Sequence, residues 1–322
     1  MRYHSESLYA ALYFQMASTN GTLELVQAPS TDMHMGIKRF YIFGQGISHS
    51  VSPTIHLTGF RYYNLPHTYE IYQTKTVDRL SSVISSPDFG GASVTMPHKL
   101  AIGKFCATMT EHARVIGAVN TLIREDMTTT RVRGDNTDWT GLVEILKNKS
   151  KDRSNSLETG FVIGAGGASR AALYAMHQTG MKNIYLFNRT KSRAEDIARD
   201  FAYLFHIIVL DNFEDLSNEK LVAPDVLIGT IPAEHTNIDL FPATLFTKPQ
   251  GICIDMSYKP RQTPLLAAAM RSGRDWATAT GIEVLLEQGF DQFKLWTGEE
   301  APKAVMLEAV AARDRQLGHQ DR

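Results

Sequence analysis

The sequence has few cysteines and almost no net charge. Only two cysteines occur in 322 residues, far apart and outside any CxxC or Cys/His pattern, which excludes a disulfide framework and a cysteine-based zinc site. Lysine plus arginine number 33 and aspartate plus glutamate number 34, so the chain has no field that would attract nucleic acid or an anionic membrane. We therefore expect a small-molecule ligand bound in a local pocket, with no nucleic-acid or membrane partner.

Long hydrophobic runs are also absent. No uninterrupted apolar stretch approaches the roughly 20 residues needed to span a bilayer, and the N-terminus lacks the order of a secretory signal. The sequence thus predicts a cytoplasmic protein. The histidines show no HxH or HExxH spacing, so we predict no metal site. Residues 1–37 have no strong period and are interpreted as an extension outside the main fold.

From residue 39 onward, short apolar runs alternate with helical stretches, a pattern typical of an α/β fold. In the second half, strands separated by helices predict a parallel sheet covered on both faces. The polar run 147–160 predicts a surface loop. The predicted strands are 161–163, 184–187, 207–210, 226–228 and 252–254. The predicted helices are 168–178, closed by Gly180, and three that start near Pro264, Gly281 and Pro302.

A glycine-rich segment lies between a predicted strand and a predicted helix. Gly164 permits a tight turn, and Gly166 lets the backbone approach a pyrophosphate at the helix N-terminus, where free N–H groups favour an anion. Ser169 stands where a third glycine often occurs. The alternative is a glycine-rich turn without a ligand. The residues predicted to bind the dinucleotide are Gly164, Ala165, Gly166, Gly167 and Ala168.

The residues after the next strand favour NADP over NAD. NAD sites usually place an aspartate or glutamate there to accept hydrogen bonds from ribose, whereas this chain has Asn188, Arg189 and Thr190. A guanidinium can stack on adenine and bind a 2′-phosphate with two hydrogen bonds, and Arg193 follows one helical turn later. The alternative is a solvated helix start, which is common in proteins.

Ser52 and Pro53 form a natural N-cap and first-turn pair for a helix over 53–60, and capping alone would explain them. A series of motifs in a fixed order, however, resembles the shikimate dehydrogenase family. The motifs are HSVSP at 49–53, VTMPHK at 94–99, GAVNT at 117–121, GDNTD at 134–138, the glycine segment 164–170, NRT at 188–190, DMSY at 255–258 and Gln288.

The resemblance covers about residues 38–314 and is closest to the shikimate dehydrogenase portion of fungal pentafunctional arom polypeptides, through GGAS at 90–93 and GIEVLLEQG at 281–289. It implies an α/β fold with a discontinuous N-terminal α/β substrate domain, residues 38–139 completed by 281–322. A Rossmann-type NADP-binding domain would span 140–280, with the active site in the cleft between the two domains.

The implied activity is the NADP-dependent, reversible reduction of 3-dehydroshikimate to shikimate, by a monomer or a homodimer. A quinate or dual quinate/shikimate dehydrogenase is an alternative, since quinate differs by a hydroxyl and a saturated ring. A non-catalytic regulatory protein on the same scaffold is another, because fungal quinate-pathway repressors resemble arom segments. The presence of Lys99, Asp138 and the glycine segment argues against a regulatory role.

The resemblance also assigns roles to single residues. Lys99 and Asp138 would be the catalytic pair, because hydride transfer to a ketone leaves an alkoxide that needs a proton. Without the surrounding motifs, two charges 39 positions apart would be interpreted as unrelated surface residues. The residues implied to bind the substrate carboxylate are Ser50 and Ser52, assisted by Tyr258. Those implied to bind ring hydroxyls are Thr95, Asn120, Asp138 and Gln288. Those implied to lie near the cofactor are Glu111, Met256 and Gly281.

The sequence departs from the family pattern at four positions. Ser93 stands where bacterial relatives usually have Asn, and Thr280 replaces a usual Asp before Gly281. Leu57 and Gly46 replace a usual Asn and a usual Pro. Ser93 is shared with the arom-like branch, so we expect it to affect which hydroxyls are recognised more than whether catalysis occurs.

Overall fold

The computed structural model describes residues 36–126, 128–151 and 156–320, and these form two separate six-stranded β-sheets. Residues 1–35, most of the predicted extension, lie outside the described residues. The strands of the first sheet are β1 Arg39–Gly44, β2 Thr68–Gln73, β3 Phe89–Val94, β4 Thr108–Met109, β5 Thr121–Arg124 and β6 Val132–Asp135. Those of the second are β7 Thr159–Ile163, β8 Asn183–Phe187, β9 Ile207–Leu210, β10 Val226–Gly229, β11 Gln250–Asp255 and β12 Asp275–Ala279.

The first sheet is mixed, with the order β2-β1-β3-β5-β6-β4. Strands β2, β1 and β3 are parallel to one another, whereas β5 runs antiparallel to both β3 and β6. Every residue of β3 is buried, because helices cover both faces of the sheet at its centre. The carboxyl ends of β1 and β3 therefore meet at one edge, where the loops that follow them can share a site.

Helices surround the two sheets. Those before the second sheet are α1 Ser52–Tyr62, α2 Ser81–Ile84, α3 Glu111–Ile116 and α4 Asp138–Ser150. Those that follow are α5 Gly167–Gln178, α6 Lys191–Phe201, α7 Pro264–Arg271, α8 Gly281–Thr297 and α9 Lys303–Gln320. Single 3-10 turns span Val77–Leu80, His98–Leu100, Ile102–Phe105, Phe213–Ser217, Ala233–His235, Ile238–Leu240 and Ala243–Phe246. Among the helices of the described ranges, none is both long enough and apolar enough to cross a membrane.

The C-terminal helices complete the core of the first sheet. Phe40 of β1 and Phe60 of α1 pack in one cluster with Phe293 and Trp296 of α8 and Met306 of α9. These side chains are almost fully buried, and each removes a large apolar surface from water. The chain therefore leaves the first domain after β6 and returns to it through α8, which makes that domain discontinuous.

The second sheet is entirely parallel, with the order β12-β11-β10-β7-β8-β9. This is the strand order typical of dinucleotide-binding domains. Successive strands are added on one side of β7 as far as β9 and on its other side from β10 onward, which leaves a crevice at the carboxyl ends of β7 and β10. Apolar clusters cover both faces of the sheet, one built around α5 and the other around α7. The predicted α/β class, with a Rossmann-type second domain, is thus confirmed.

The predicted strands and helices of the second half are confirmed, and Gly180 closes α5 in the left-handed conformation at φ +82. The prediction of a loop from residue 147 is wrong at its start, because α4 continues to Ser150. Leu142, Ile145 and Leu146 are buried against α5 and α8, and this packing extends the helix through a polar run. Residues 152–155 lie outside the described residues, and the domain boundaries at 139/140 and 280/281 stay a prediction.

The start of α8 gives a first testable prediction. A Cβ added to Gly281 would lie 2.5 Å from the carbonyl oxygen of Met256 and 2.6 Å from that of Ser257. Because both neighbours are backbone atoms, Gly281→Ala should lower the free energy of unfolding by about 1–3 kcal/mol, measured by urea denaturation. Gly103→Ala is the control, since its added Cβ would meet only Met109 Sδ at 3.6 Å. Equal losses in both variants would contradict the close-contact explanation.

Candidate active site between the two sheets

A lysine and an aspartate meet between the two sheets. Lys99 lies in the 3-10 turn after β3, and Asp138 is the first residue of α4. Lys99 Nζ lies 2.5 Å from Asp138 Oδ2, with the two side chains 15% and 6% exposed. Such shielding from water strengthens the attraction between the charges and makes either one costly to bury alone. The two residues that the sequence pairs only by resemblance are therefore in direct contact.

Two amide side chains complete the surroundings of Asp138. Asn120 Nδ2 donates to Asp138 Oδ1 at 2.9 Å and to Gln288 Oε1 at 3.1 Å. Gln288 reaches this point from α8 and is anchored by its own amide, which donates to the carbonyl of Leu285 at 2.8 Å. Lys99, Asp138, Asn120 and Gln288 thus form one connected group of donors and acceptors.

Thr95 lies at the same edge of the first sheet. Its backbone N–H donates to the carbonyl of Phe43 at 2.8 Å, which places it at the carboxyl ends of β1 and β3. Its Cγ2 would be only 2.6 Å from a Cβ added to Gly44. Glycine at position 44 therefore leaves room for Thr95 beside the start of the Lys99 turn.

Ser50 and Ser52 are both buried at the start of α1. The prediction that Ser52 caps this helix is wrong, because α1 begins at Ser52 itself and no side chain caps it. Val51 already has a helical conformation, with φ -90 and ψ -13, which shifts the helix start by one residue. Ser52 Oγ has no hydrogen-bond partner among the described residues. A buried hydroxyl without a partner is unfavourable, and a ligand acceptor would satisfy it.

Tyr258 follows β11 and is the third residue that the sequence assigns to this anchor. Burial raises the pKa of its phenol, while the hydroxyl of Ser50 opposes the shift. Ser50 Oγ also accepts from the backbone N–H of Ser52 at 3.3 Å. The neutral phenol and the two serine hydroxyls together offer donors to a carboxylate.

The glycine segment forms the turn between β7 and α5. Gly164 has φ +119, and a Cβ added to it would lie 2.3 Å from Thr230 Oγ1, so only glycine fits. A Cβ added to Gly166 would meet no atom within 4 Å, which means that its face is open. Ser169 Oγ accepts from the N–H of Gly166 at 3.0 Å and lies 2.6 Å from Thr230 Oγ1. Ser169, which occupies the position where a third glycine often occurs, therefore stabilises the turn through its hydroxyl.

The first turn of α5 adjoins the lysine. The N–H groups of Gly167 and Ala168 have no acceptor within their own helix, because both lie in its first turn. A Cβ added to Gly167 would lie 2.8 Å from Lys99 Cβ and 3.5 Å from Ala118 Cβ. The N-terminal end of α5 is thus in contact with the residue that the sequence predicts to be catalytic.

Arg189 and Arg193 are exposed at the end of β8 and the start of α6. Asn188 Nδ2 donates to the carbonyl of Thr190 at 2.8 Å and shapes the turn between them. Lys191 pairs with Asp211 at 2.5 Å, so its charge is already compensated. Arg189 and Arg193 have no such ion pair with another described residue.

The three residues implied to lie near the cofactor occupy two different places. The N–H of Met256 donates to the carbonyl of Gly229 at 2.9 Å, and Gly281 packs on Met256, so both lie at the carboxyl edge of the second sheet. Glu111 is exposed at the start of α3. The pKa of Tyr174 on α5 is raised by burial and then by the charge of Glu111. Among the described site residues, none forms a hydrogen bond with Glu111.

Sequence reasoning missed Arg170, which links the two domains. Its Nε donates to the carbonyl of Ile116 at 2.5 Å, and its Nη1 pairs with Asp200 at 2.8 Å. Gly117 has φ +68, and a Cβ added to it would lie 2.7 Å from Arg170 Nη2. The signal in the sequence was the position of Arg170 inside the glycine motif, one turn into α5.

Three family models match the chain. The shikimate dehydrogenase substrate binding domain matches residues 42–122, shikimate / quinate 5-dehydrogenase matches 146–261, and the shikimate 5′-dehydrogenase C-terminal domain matches 281–311. The solved shikimate dehydrogenase of Mycobacterium tuberculosis is 30% identical, with a TM-score of 0.71, over 85% of this chain and 99% of that one. The chain belongs to the shikimate dehydrogenase family.

Other members extend this comparison. A shikimate 5-dehydrogenase from Thermus thermophilus, solved in complex with NADP(H) and shikimate, is 28% identical over 85% of this chain and 99% of that one, with a TM-score of 0.69. The pentafunctional AROM polypeptide of Schizosaccharomyces pombe is 42% identical over 283 residues, 85% of this chain. The quinate repressor protein of Emericella nidulans is 34% identical over 84% of this chain. The chain spans only 18% of the length of that AROM relative and 34% of the repressor.

The unpartnered hydroxyl of Ser52 gives the second prediction. Since Ser52 makes no cap bond, Ser52→Ala should change the free energy of unfolding by less than about 0.5 kcal/mol in urea denaturation. Thr263 is the matched control, because it also precedes a proline at a helix start and its Oγ1 accepts from Leu266 N. Thr263→Ala should cost about 1 kcal/mol. A comparable loss in Ser52→Ala would restore the capping role.

Proposed function

We propose that this chain is an NADP-dependent shikimate dehydrogenase, which catalyses the reversible reduction of 3-dehydroshikimate to shikimate. The main support is the contact between the buried Lys99–Asp138 pair and the first turn of α5 at Gly167. This contact puts a proton donor beside the place where a dinucleotide would be held. The NADP(H) and shikimate bound by the Thermus relative support the same pairing of ligands.

The second domain fits a dinucleotide. Free N–H groups at the start of α5 and the open face of Gly166 suit a pyrophosphate, because such groups and the helix dipole favour an anion. The exposed guanidinium groups of Arg189 and Arg193 suit the 2′-phosphate of NADP. Met256 and Gly281 lie at the same edge, near the rest of the cofactor. When bound, NADP supplies or accepts the hydride.

The first domain fits a hydroxylated carboxylic acid. Ser50, Ser52 and Tyr258 offer hydroxyl donors to the carboxylate, and the free hydroxyl of Ser52 is the clearest of these. Thr95, Asn120, Gln288 and Asp138 offer both donors and acceptors to ring hydroxyls. A group of this kind discriminates strongly against compounds that lack the matching hydroxyls, because its own polar groups would stay unpaired.

Lys99 would carry the proton of the reaction. When the ketone is reduced, the Lys99 ammonium donates a proton to the developing alkoxide oxygen, and in the oxidation Lys99 takes it back. Asp138 holds the Lys99 side chain through Nζ and would accept a hydrogen bond from a neighbouring hydroxyl. Arg170 ties α5 to the carbonyl of Ile116, so it favours a closed cleft that excludes water from the reacting atoms.

A quinate or dual quinate/shikimate dehydrogenase is the second candidate, because the family model that matches residues 146–261 is described as shikimate / quinate 5-dehydrogenase. A non-catalytic regulatory protein is the candidate from another class, in line with the Emericella relative. The Lys99–Asp138 pair and the open glycine turn favour the enzyme. We further propose a cytoplasmic location, which two unpaired cysteines support, and a monomer or homodimer.

A steady-state assay of shikimate and quinate, each with NADP and NAD, tests the proposed function. We expect the highest kcat/KM for shikimate with NADP. Lys99→Ala should lower kcat by roughly 100-fold or more, the usual effect of losing a positioned acid or base. Lys104→Ala is the matched control, since Lys104 forms an exposed ion pair with Asp78 and should keep full activity.

The outcomes separate the candidates. Higher activity with quinate than with shikimate would favour the second candidate, and a folded wild type inactive on both would favour the regulatory protein. Near-normal turnover in folded Lys99→Ala would remove Lys99 from the mechanism.

Cofactor choice gives a further prediction. Charge-assisted hydrogen bonds contribute about 1.5–3 kcal/mol each, reduced here by solvent exposure, so Arg189→Ala should lower kcat/KM with NADP roughly ten- to a hundredfold. The NAD value should change little, because its adenine ribose offers only hydroxyls. Arg189→Asp should invert the preference, since a carboxylate repels the phosphate. Arg199→Ala, which alters an exposed arginine paired with Asp196 in the helix that follows Arg189, is the control. Equal weakening of both cofactors by Arg189→Ala would refute the phosphate pocket.

A further inference from the structure

A chain of buried polar side chains lies behind the residues that face the substrate. Its five members come from three strands, a loop and a helix, and each is at most 5% exposed. Each donates a hydrogen bond to the next in the order Tyr69, Ser93, Gln292, Thr121 and Asn120. Only Asn120 belongs to the predicted substrate site, so the other four need a separate explanation.

The hydrogen bonds run in one direction. Tyr69 Oη donates to Ser93 Oγ at 2.6 Å, and Ser93 Oγ donates to Gln292 Oε1 at 2.7 Å. Gln292 Nε2 donates to Thr121 Oγ1 at 2.9 Å, and Thr121 Oγ1 donates to Asn120 Oδ1 at 2.6 Å. The Asn120 amide then donates to the carboxylate that holds Lys99. This series of hydrogen bonds therefore ends at the Lys99–Asp138 pair.

Two backbone groups fix this direction. Gln292 Nε2 also donates to the backbone carbonyl of Asn120 at 3.2 Å, and a carbonyl can only accept. The backbone N–H of Thr137 donates to Asn120 Oδ1 at 2.7 Å, and an N–H can only donate. Neither amide can therefore be flipped without placing two acceptors or two donors face to face.

Gln292 is the central residue of this series of hydrogen bonds. It lies on α8 one helical turn after Gln288, and its two N–H groups and its oxygen are all used. Without its amide, the hydroxyls of Ser93 and Thr121 would each lose a buried partner. The Thr121 hydroxyl could then turn away from Asn120, and the Asn120 amide would lose one of the bonds that set its orientation.

We propose that Gln292 is a positioning residue, which acts through Thr121 to hold the Asn120 amide toward Asp138 and the substrate. The identity of the substrate rests on the proposed function, but the positioning itself does not. The competing explanation is that Gln292 merely ties α8 to β5. Trp296 offers a matched control, because its Nε1 donates to the carbonyl of Leu122 at 2.9 Å and ties the same helix to the same strand.

The test compares Gln292→Met with Trp296→Phe in the full chain. Gln292→Met keeps the length of the side chain and removes its three hydrogen bonds. We expect the KM for shikimate to rise about tenfold, the scale of one hydrogen bond, with the KM for NADP unchanged. Trp296→Phe should lower the stability to urea but leave the KM for shikimate within about twofold. Gln292→Glu, which has at most one donor in place of two, serves if the Met variant does not fold.

A second measurement needs no substrate. The side-chain amide protons of Asn120 should exchange with solvent at least about tenfold faster in Gln292→Met than in wild type, followed by NMR on ¹⁵N-labelled protein. Trp296→Phe should leave that rate unchanged. Slow exchange together with an unchanged KM in the Gln292 variants would overturn the proposal. Faster exchange in Gln292→Met, combined with a wild type that fails to oxidise shikimate, would refute the proposed function and keep the positioning role.

Discussion

The buried carboxylate of Asp138 is the constraint on which the site depends. An ionised group so far from water is tolerated only with a countercharge and hydrogen bonds, and Lys99 and Asn120 provide them. Those partners come from the turn after β3 and the loop before β5, and Gln288 of α8 supports Asn120 from the opposite side. The surroundings of this one carboxylate thus include a residue that α8 brings back to the first domain.

The two halves of the proposed reaction come from different domains. The second domain offers a helix N-terminus with free N–H groups, which would favour an anion, at the carboxyl edge of its parallel sheet, where the order of strands reverses. The first domain offers Lys99 and the residues proposed to bind the ring hydroxyls. The contact of Gly167 with Lys99 and the bond from Arg170 to Ile116 join the halves, so hydride and proton can meet at one carbon–oxygen bond.

Two departures from the family pattern have local explanations. Thr280 caps α8 in place of the usual aspartate, and its backbone N–H donates in return to Glu283 Oε2 at 2.6 Å. Burial raises the pKa of Glu283 to about 7. Ser93 gives its only proton to Gln292 and accepts from Tyr69, so its hydroxyl has no proton left to donate elsewhere. The orientation of the Ser93 hydroxyl is therefore set by a glutamine that the sequence motifs did not include.

The α/β class, the glycine turn before α5 and the ordered motifs could all be predicted from the sequence, because they depend on local periodicity and on residues close together in the chain. That α4 continues through 147–150 could not be predicted, since Leu142, Ile145 and Leu146 pack against helices distant in the sequence. That Ser52 makes no cap bond could not be predicted either, because it follows from the helical conformation that Val51 adopts in the folded chain. The series of hydrogen bonds through Gln292 could not be predicted from the sequence either. It joins residues up to 199 positions apart, and only tertiary packing brings their polar atoms within hydrogen-bonding distance and removes the water that would otherwise replace them.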